Sequence, residues 1–573
     1  MRHMLSPLRT SLAATAVFLG AATSITLSAR QAPQARVIDD AALLEPAPGD
    51  WVNPGRDYAE THHSPLTQID QSNVSRLAPV WSVEVGSQGK IETTPIVANG
   101  VLYGTSTYSV VYAVDTRTGA LKWRWDPALV KGGIADGAAR FCCGPVNRGV
   151  AIYKGKVYVG LLDGRLVALD AETGYVAWSV QTTPVGKDYS ITGAPRIVKG
   201  KVVIGNGGGE YGVRGYLTAY DAETGKQAWR WFVVPGDPSK GLEDRSMEMA
   251  LKSWKGQWFK YGGGGTPWDG ITYDPEANLV YVGTGNGSPW ARDHRSEGTG
   301  DNLYLSSIVA LNADTGRYVW HYQTTPGDDW DYNAAQQMIL TDLTIDGKPR
   351  KVLLQAPKNG FFYVLDRLTG ELLSAQPFTT VTWATHIDLK TGRPVETPEA
   401  RYGNKAVRLS PSAVGAHHWP PMALNPTTGL VYFPGQDTSM VYQNVEKFDF
   451  QEGQWNTGTA RGAAGAAVAS APAPPPMRGF FLAWDPVANK ERWRIDFRPS
   501  GGALSTAGQL VFVGDAGGAF YALDPATGKT LWQHKLMTGI ATPISYAIDG
   551  KQYVAVMSGV AGGKVFAFTL DGK

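Results

Sequence analysis

An all-β chain folded as an eight-bladed β-propeller is what this sequence predicts. Three observations carry it: a hairpin string visible seven times, chain ends that supply the two halves of an eighth, and a composition rich in glycine and tryptophan. Of 573 residues, 68 are Gly and 19 are Trp, while only 18% are charged. Soluble domains usually carry roughly 25% charged residues, and this balance suits a turn-rich β protein with large aromatic packing units.

The string is Ala-x-Asp-x-x-Thr-Gly-x-x-x-Trp. It reads AVDTRTGALKW ending at Trp123, ALDAETGYVAW at Trp178, AYDAETGKQAW at Trp229 and ALNADTGRYVW at Trp320. It continues as VLDRLTGELL from Val364, AWDPVANKERW at Trp493 and ALDPATGKTLW at Trp532. Each copy is an alternating apolar strand, an Asp- or Asn-initiated turn with Gly where φ > 0 is needed, and a returning strand. At the C-terminus KVFAFTLDG (Lys564 to Gly572) has the incoming strand and turn but no Trp. Near the N-terminus LAPVWSVEVG (Leu77 to Gly86) has a Trp-bearing strand and no turn. Joining them closes a ring of four-stranded sheets and removes the open edge. The tryptophans read as blade-docking units.

Spacing locates the interruptions. Asp115, Asp170 and Asp221 lie 55 and 51 residues apart, but Asp221 to Asn312 is 91 and Asp366 to Asp485 is 119. Insertions are expected around 235–265 and 375–480, and long loops on a rigid scaffold are where sites are usually built. RGAAGAAVASAPAPPPMRG (Arg461 to Gly479) is low-complexity. Before the repeats, residues 1–35 read as a secretory signal peptide: Arg2 and Arg9, an apolar run from Leu12 to about Leu27, then small residues with cleavage near Ala29 or Ala35. An uncleaved anchor is the alternative, since the run is nearly long enough to span a bilayer. Residues 36–573 are expected to form one propeller domain in the periplasm, without stable membrane insertion after cleavage. Loss of Arg2, Arg9 and Arg30 leaves 50 basic residues against 51 acidic ones. That gives no electrostatic footprint for nucleic acid.

The only two cysteines are neighbours, Cys142 and Cys143. They read either as two small buried hydrophobes or, in an oxidising compartment, as a vicinal disulfide. Such a ring is strained and rigid, because consecutive Cα atoms sit ~3.8 Å apart and ordinary disulfides want ~4.4–6.8 Å. Further on, NGGGEYGVRG sets Glu210 after a glycine run, GGGGTPWDG offers Trp268, YVGTGNGSPW offers Asn286, and TTPGDDWDYN offers Asp331. Glu, Asn and Asp are oxygen donors suited to a hard cation such as Ca²⁺. Singly, each also fits a capped turn or a solvated surface.

In order along the chain, CCGPVNRG, GNGGGEYGVRG, GGGGTPW, GTGN, DDWDY and APKNGFFYVLDR make this sequence resemble the pyrroloquinoline-quinone (PQQ)- and calcium-dependent alcohol dehydrogenases. The resemblance runs from Asp50 to the C-terminus. It implies a quinone sandwiched between a Cys142–Cys143 disulfide ring and the indole of Trp268. It further implies Ca²⁺ held by Glu210, Asn286 and Asp331, with Asp331 also the catalytic base. Glu92, Arg148, Thr192 and Lys358 match family positions that contact the quinone's carboxylates and carbonyls, and the backbone of Gly207 and Gly208 lies beside it. The implied reaction is oxidation of an alcohol to an aldehyde or ketone. No Cys-x-x-Cys-His occurs, so electrons are expected to leave to a separate acceptor, by resemblance a soluble cytochrome c. The readings from other classes are a non-catalytic propeller scaffold for envelope assembly and a carbohydrate-binding propeller; neither requires the adjacent cysteines or the Glu210, Asn286 and Asp331 set.

Three positions depart from the family pattern or refine it. His418 stands where an amide is common, and Asn333 stands where lanthanide-using relatives have an Asp, which favours calcium. Ser500 stands where many have a Trp. If Ser500 replaces a bulky ring in the substrate pocket, that pocket admits a bulky or polycyclic secondary alcohol such as a trichothecene-type toxin. The pairs His62–His63 and His417–His418 do not read as zinc sites, because adjacent strand side chains face opposite ways.

Overall fold

Eight blade sheets are arranged along the chain, seven of four antiparallel strands and one, blade 7, with a fifth strand, His63–Ser64, added in parallel to its first. The structure is a computed structural model that describes residues 36–129, 144–460 and 476–572. The leader-like segment, residues 1–35, and the cysteine pair therefore lie outside the described residues. Blades 1 to 5 span 96–125, 151–181, 196–232, 271–323 and 339–377, and blades 6 and 7 span 423–496 and 499–535. Blade 8 combines Ile544–Ile548, Lys551–Ser558 and Lys564–Leu570 with the N-terminal strand Leu77–Glu84. The closing register runs from Leu77 opposite Leu570 to Glu84 opposite Lys564, and Arg76 pairs with Asp571 beside it. Residues 37–573 form one unit.

Burial orders each blade from inside to out. The first strands of blades 1 to 3, Ile96–Ala98, Ala151–Tyr153 and Arg196–Val198, are buried throughout, whereas the fourth strands reach solvent, as in Val176–Gln181. The fourth strand carries the repeat tryptophan, which docks on the next blade's turn. Trp81 lies against Gly119, Trp123 against Gly174, Trp178 against Gly225, Trp229 against Gly316, Trp320 against Gly370 and Trp493 against Gly528; a Cβ on any of these glycines would come within 2.5–2.9 Å of the indole. The indole N–H of Trp81, Trp123, Trp178 and Trp229 donates to the carbonyls of Thr116, Ala171, Ala222 and Ala313 at 3.1–3.2 Å. Between blades 5 and 6 the pattern lapses on both sides together. Ser374 stands in place of the Trp, and Asn489, at φ +52°, in place of the Gly.

The insertions fall at blade junctions and inside blades. Residues 233–270, with the helix Arg245–Leu251, link blades 3 and 4, and 284–306 interrupt blade 4. A small hairpin, Ala384–Asp388 with Arg393–Glu396, and a two-stranded antiparallel ribbon, Val407–Leu409 with Met440–Tyr442, occupy the long interval around blade 6. Among the described residues no helix is long and apolar enough to cross a membrane.

Candidate active site

Antiparallel strands put successive connections at alternate ends of a blade. The Asp–Gly turns join third to fourth strands, so they occupy one face of the ring. The entries to first strands and the loops after second strands share the other. Every blade sends a residue from the latter regions into one central site. Glu92, Arg148, Thr192, Trp268, Asp331 and His418 precede the first strands of blades 1 to 6, Ser500 lies in the first strand of blade 7, and Gly539 precedes that of blade 8. Gly207, Gly208 and Glu210 follow the second strand of blade 3, Asn286 that of blade 4 and Lys358 that of blade 5.

These residues line two chambers whose common wall is Arg148, Val414 and His418. The smaller, ≈ 300 Å³, contains Thr192, Gly207, Gly208, Glu210, Trp268, Asn286, Asp331 and Lys358. The larger, ≈ 500 Å³, contains Glu92 and Ser500 together with Lys90 and Arg498. All the sequence-derived site residues within the described regions therefore converge.

Glu210 sits on a single helical turn, Gly209–Tyr211, flanked by left-handed Gly208 and Gly212. A Cβ on Gly208 would lie 2.3 Å from the Asp188 carbonyl. Glu210 Oε1 accepts from Asn286 Nδ2 at 2.9 Å and from Trp290 Nε1 at 3.2 Å. That use of Nδ2 leaves the Asn286 oxygen as a donor atom for a cation. Asp331 has left-handed backbone, φ +67°, uncommon for a residue with a side chain. The turn holding it is pinned from within its own motif. Asp328 Oδ1 accepts from the Trp330 and Tyr332 amides at 3.1 and 3.0 Å, and Trp330 Nε1 donates to the Ala400 carbonyl at 3.1 Å. Asp331 Oδ2 accepts from Lys358 Nζ at 2.9 Å and Oδ1 from Asn333 Nδ2 at 3.1 Å. Burial pushes the Asp331 carboxyl up to about 7; Lys358 pulls it back and the charge of Glu210 adds to the rise. Two buried carboxylates face one ammonium, since the Arg148 in the chamber wall is taken up by Glu92 and Asp269, and this end is short of positive charge. Its oxygen donors therefore fit a hard divalent cation.

The other end has the opposite sign. Arg148 donates to Thr192 Oγ1 at 2.8 Å, pairs with Glu92 at 2.9 Å and lies 3.8 Å from Asp269. Its guanidinium carbon is 5.0 Å from the Trp268 ring centre, and His418 stacks on that ring at 5.3 Å and 19°. Burial, reinforced by Lys358 and Arg148, holds His418 neutral. A planar molecule with carbonyls at one edge and several carboxylates at the other matches this polarity, and PQQ, with its quinone and three carboxylates, is such a molecule. His417 is a core residue, both ring nitrogens engaged by the Ala356 and Pro420 carbonyls at 2.6 and 2.8 Å.

Ser500 departs from expectation. Its Oγ donates to the Ile540 carbonyl at 2.9 Å, and it lines the chamber of Glu92 and Arg148, not that of Asp331. The walls beside Asp331 include Trp290 and Trp455, their rings edge to face at 6.4 Å. Sequence reading missed both. Trp290 closes a string already quoted for Asn286, and Trp455 lies in an insertion without repeat register. Asp269, adjacent to Trp268, was also readable only as part of a turn.

A propeller that gathers an oxygen-donor cation end and a carboxylate-binding end around one indole belongs to the class of quinone-dependent dehydrogenases. Sequence comparison agrees. The family described as "PQQ: Glucose/ethanol/alcohol dehydrogenase, beta-propeller domain" matches residues 51–382 and 483–554. Quinohemoprotein alcohol dehydrogenase ADH IIB of Pseudomonas putida is 50% identical, over 100% of this chain and 83% of its own length. The 1-butanol dehydrogenase (cytochrome c) of Thauera butanivorans is 44% identical over 92% of this chain and 79% of its own. The solved structure of quinohemoprotein alcohol dehydrogenase ADHIIG from Pseudomonas putida superposes with a TM-score of 0.88 at 47% identity, covering 95% of this chain and 83% of that one. The chain belongs to the PQQ-dependent alcohol dehydrogenase family.

Proposed function

We propose that this chain is a periplasmic enzyme that binds PQQ against Trp268 and Ca²⁺ between Glu210, Asn286 and Asp331. It oxidises an alcohol beside Asp331 and passes the electrons to a separate cytochrome c. The observation that carries the reading is the meeting, in one chamber, of Asp331 with Lys358 and with the Glu210–Asn286 pair. When bound, the quinone supplies a two-electron acceptor and the cation a Lewis acid. The chain's residues supply the rest. Asp331 takes the alcohol proton on a carboxylate oxygen, and a cation beside it favours the ionised form this requires. Lys358 Nζ, also held by the Ala413 carbonyl at 2.9 Å, places a positive charge where negative charge develops. Arg148, Thr192 and Glu92 orient the cofactor, and the left-handed Gly208 lets the backbone approach it closely. Cys142 and Cys143 lie outside the described residues, and a disulfide between them opposite Trp268 rests on the family resemblance alone.

Substrate follows from the walls. With Trp290 and Trp455 beside Asp331 and Ser500 in the other chamber, the argument for a polycyclic secondary alcohol loses its basis. Alcohols with a slim apolar tail fit better, and the Thauera relative is named for 1-butanol. Export rests on the leader-like N-terminus, and the cytochrome c acceptor on the family resemblance and on the Thauera relative, which is named for cytochrome c. The test is reconstitution: apoprotein with PQQ and calcium should reduce a dye with 1-butanol, and omission of either should abolish it. Equal dye reduction without PQQ would remove the proposal.

A further inference from the structure

We propose that Lys90 and Arg498 form an additional anion-binding pair that grips the carboxylates of the quinone in the larger chamber. The proposal rests on the cofactor reading above. Arg148, the residue sequence points to for this task, is already matched. Its side chain is 7% exposed and meets both Glu92 and Asp269. Behind it Arg196 forms a bidentate pair with Glu60, at 2.6 and 3.3 Å. In this buried string each cation has its acid, so Arg148 contributes direction and little net attraction.

Lys90 and Arg498 differ. Both line the larger chamber with Arg148 and Glu92, and neither is within ion-pair distance of an acid among the described residues. Lys90 Nζ lies over the Trp419 ring, 4.7 Å from its centre. Burial and the like charges of Arg148 and Arg498 oppose its protonated form, with Glu92 alone in support. Arg498 enters the first strand of blade 7, its carbonyl fixed by the Ala516 amide at 2.8 Å. Three cations thus line a cavity of ≈ 500 Å³, and Glu92, the acid in its lining, is taken by Arg148. A polycarboxylate entering there gains two unpaired charges and relieves their mutual repulsion.

Binding to apoprotein tests this without turnover. PQQ is titrated at fixed calcium and followed by tryptophan quenching, at several salt concentrations, for wild type, Lys90→Met, Arg498→Leu, Lys90→Arg and Arg498→Lys. The PQQ trimethyl ester serves as a second probe. The charge-removing variants should each weaken PQQ at least about tenfold and flatten the salt dependence, while the charge-keeping ones stay within about threefold. The ester should bind wild type and charge-removing variants alike. Wild-type affinity and salt dependence in Lys90→Met and Arg498→Leu, or equal weakening of the ester, would overturn the proposal. Arg498 is exposed, so its replacement leaves the core intact and carries the test by itself. A wild type that binds no PQQ overturns the cofactor reading as well, which distinguishes the two failures.

Discussion

To act as the proposed base, Asp331 must be ionised in a place where burial favours the neutral acid, and its neighbours decide the outcome. Lys358 at 2.9 Å and a cation beside Glu210 both favour the charged form, and removing either charge tips the balance. Asp331→Asn keeps the shape and loses the base, so turnover should fall by roughly 10²–10⁴-fold with PQQ affinity near wild type; steady-state rates and quenching titrations check this. Glu210→Ala tests the proposed calcium site. It should weaken calcium at least about tenfold, on the order of the loss expected when a metal site is disturbed, and excess calcium should restore part of the activity. A variant that no calcium concentration rescues would place Glu210 outside the metal site. At this scale the sequence was legible wherever a motif is contiguous: Asp331 in DDWDY and Glu210 in GNGGGEYG sit in the chamber the resemblance implies. Lys90, Trp455 and Arg498 were not, because their roles depend on which loops meet across the ring axis.

The blades explain that difference. The Asp-x-x-Thr-Gly turns and their tryptophans recur because each must make the same contact with its neighbour, and they lie on the face opposite the site. Loops on the site face differ from blade to blade because each supplies a different group, so periodicity carries no information about them. The lapse at Ser374 and Asn489 supports the docking account within one chain: where the indole is missing, the glycine it would need is missing too. Gly316→Ala should therefore destabilise the protein by about 1–3 kcal/mol. The new Cβ would meet Trp229 at 2.5 Å and the residue would stay at φ +69°, a conformation costing about 1–2 kcal/mol for an L side chain. PQQ affinity should be unchanged. Denaturant melts paired with quenching titrations check both halves, and a loss of affinity without loss of stability would contradict the assignment of faces.

Ring closure ties whole-molecule stability to the N-terminal segment that leads into the blade 8 strand. His62 in that segment is 1% exposed, edge-on to Trp51 at 6.0 Å, and burial with the charge of Arg196 lowers its pKa to about 3. Because the folded value lies below the unfolded value of about 6.5, acid protonates the unfolded chain first. The stability from His62 is complete above pH 6.5 and is lost as pH falls toward 3, about 2 kcal/mol by pH 5. Chemical denaturation at pH 7 and pH 5 should show that His62→Phe loses less over this range than wild type. Closure itself was readable from two incomplete hairpins at the ends of the chain, whereas the burial of His62 follows from how residues 51–64 pack and left no sequence signal. All these scales meet in the claim that the ring exists to hold one oxidising site with Asp331 as its base. A single anaerobic turnover tests that most directly: PQQ- and calcium-loaded wild type and Asp331→Asn are mixed with 1-butanol and the bound quinone is followed by absorbance. The account predicts that wild type reduces one quinone per chain while Asp331→Asn, equally loaded, stays oxidised over the same time; reduction of both at the same rate would contradict it.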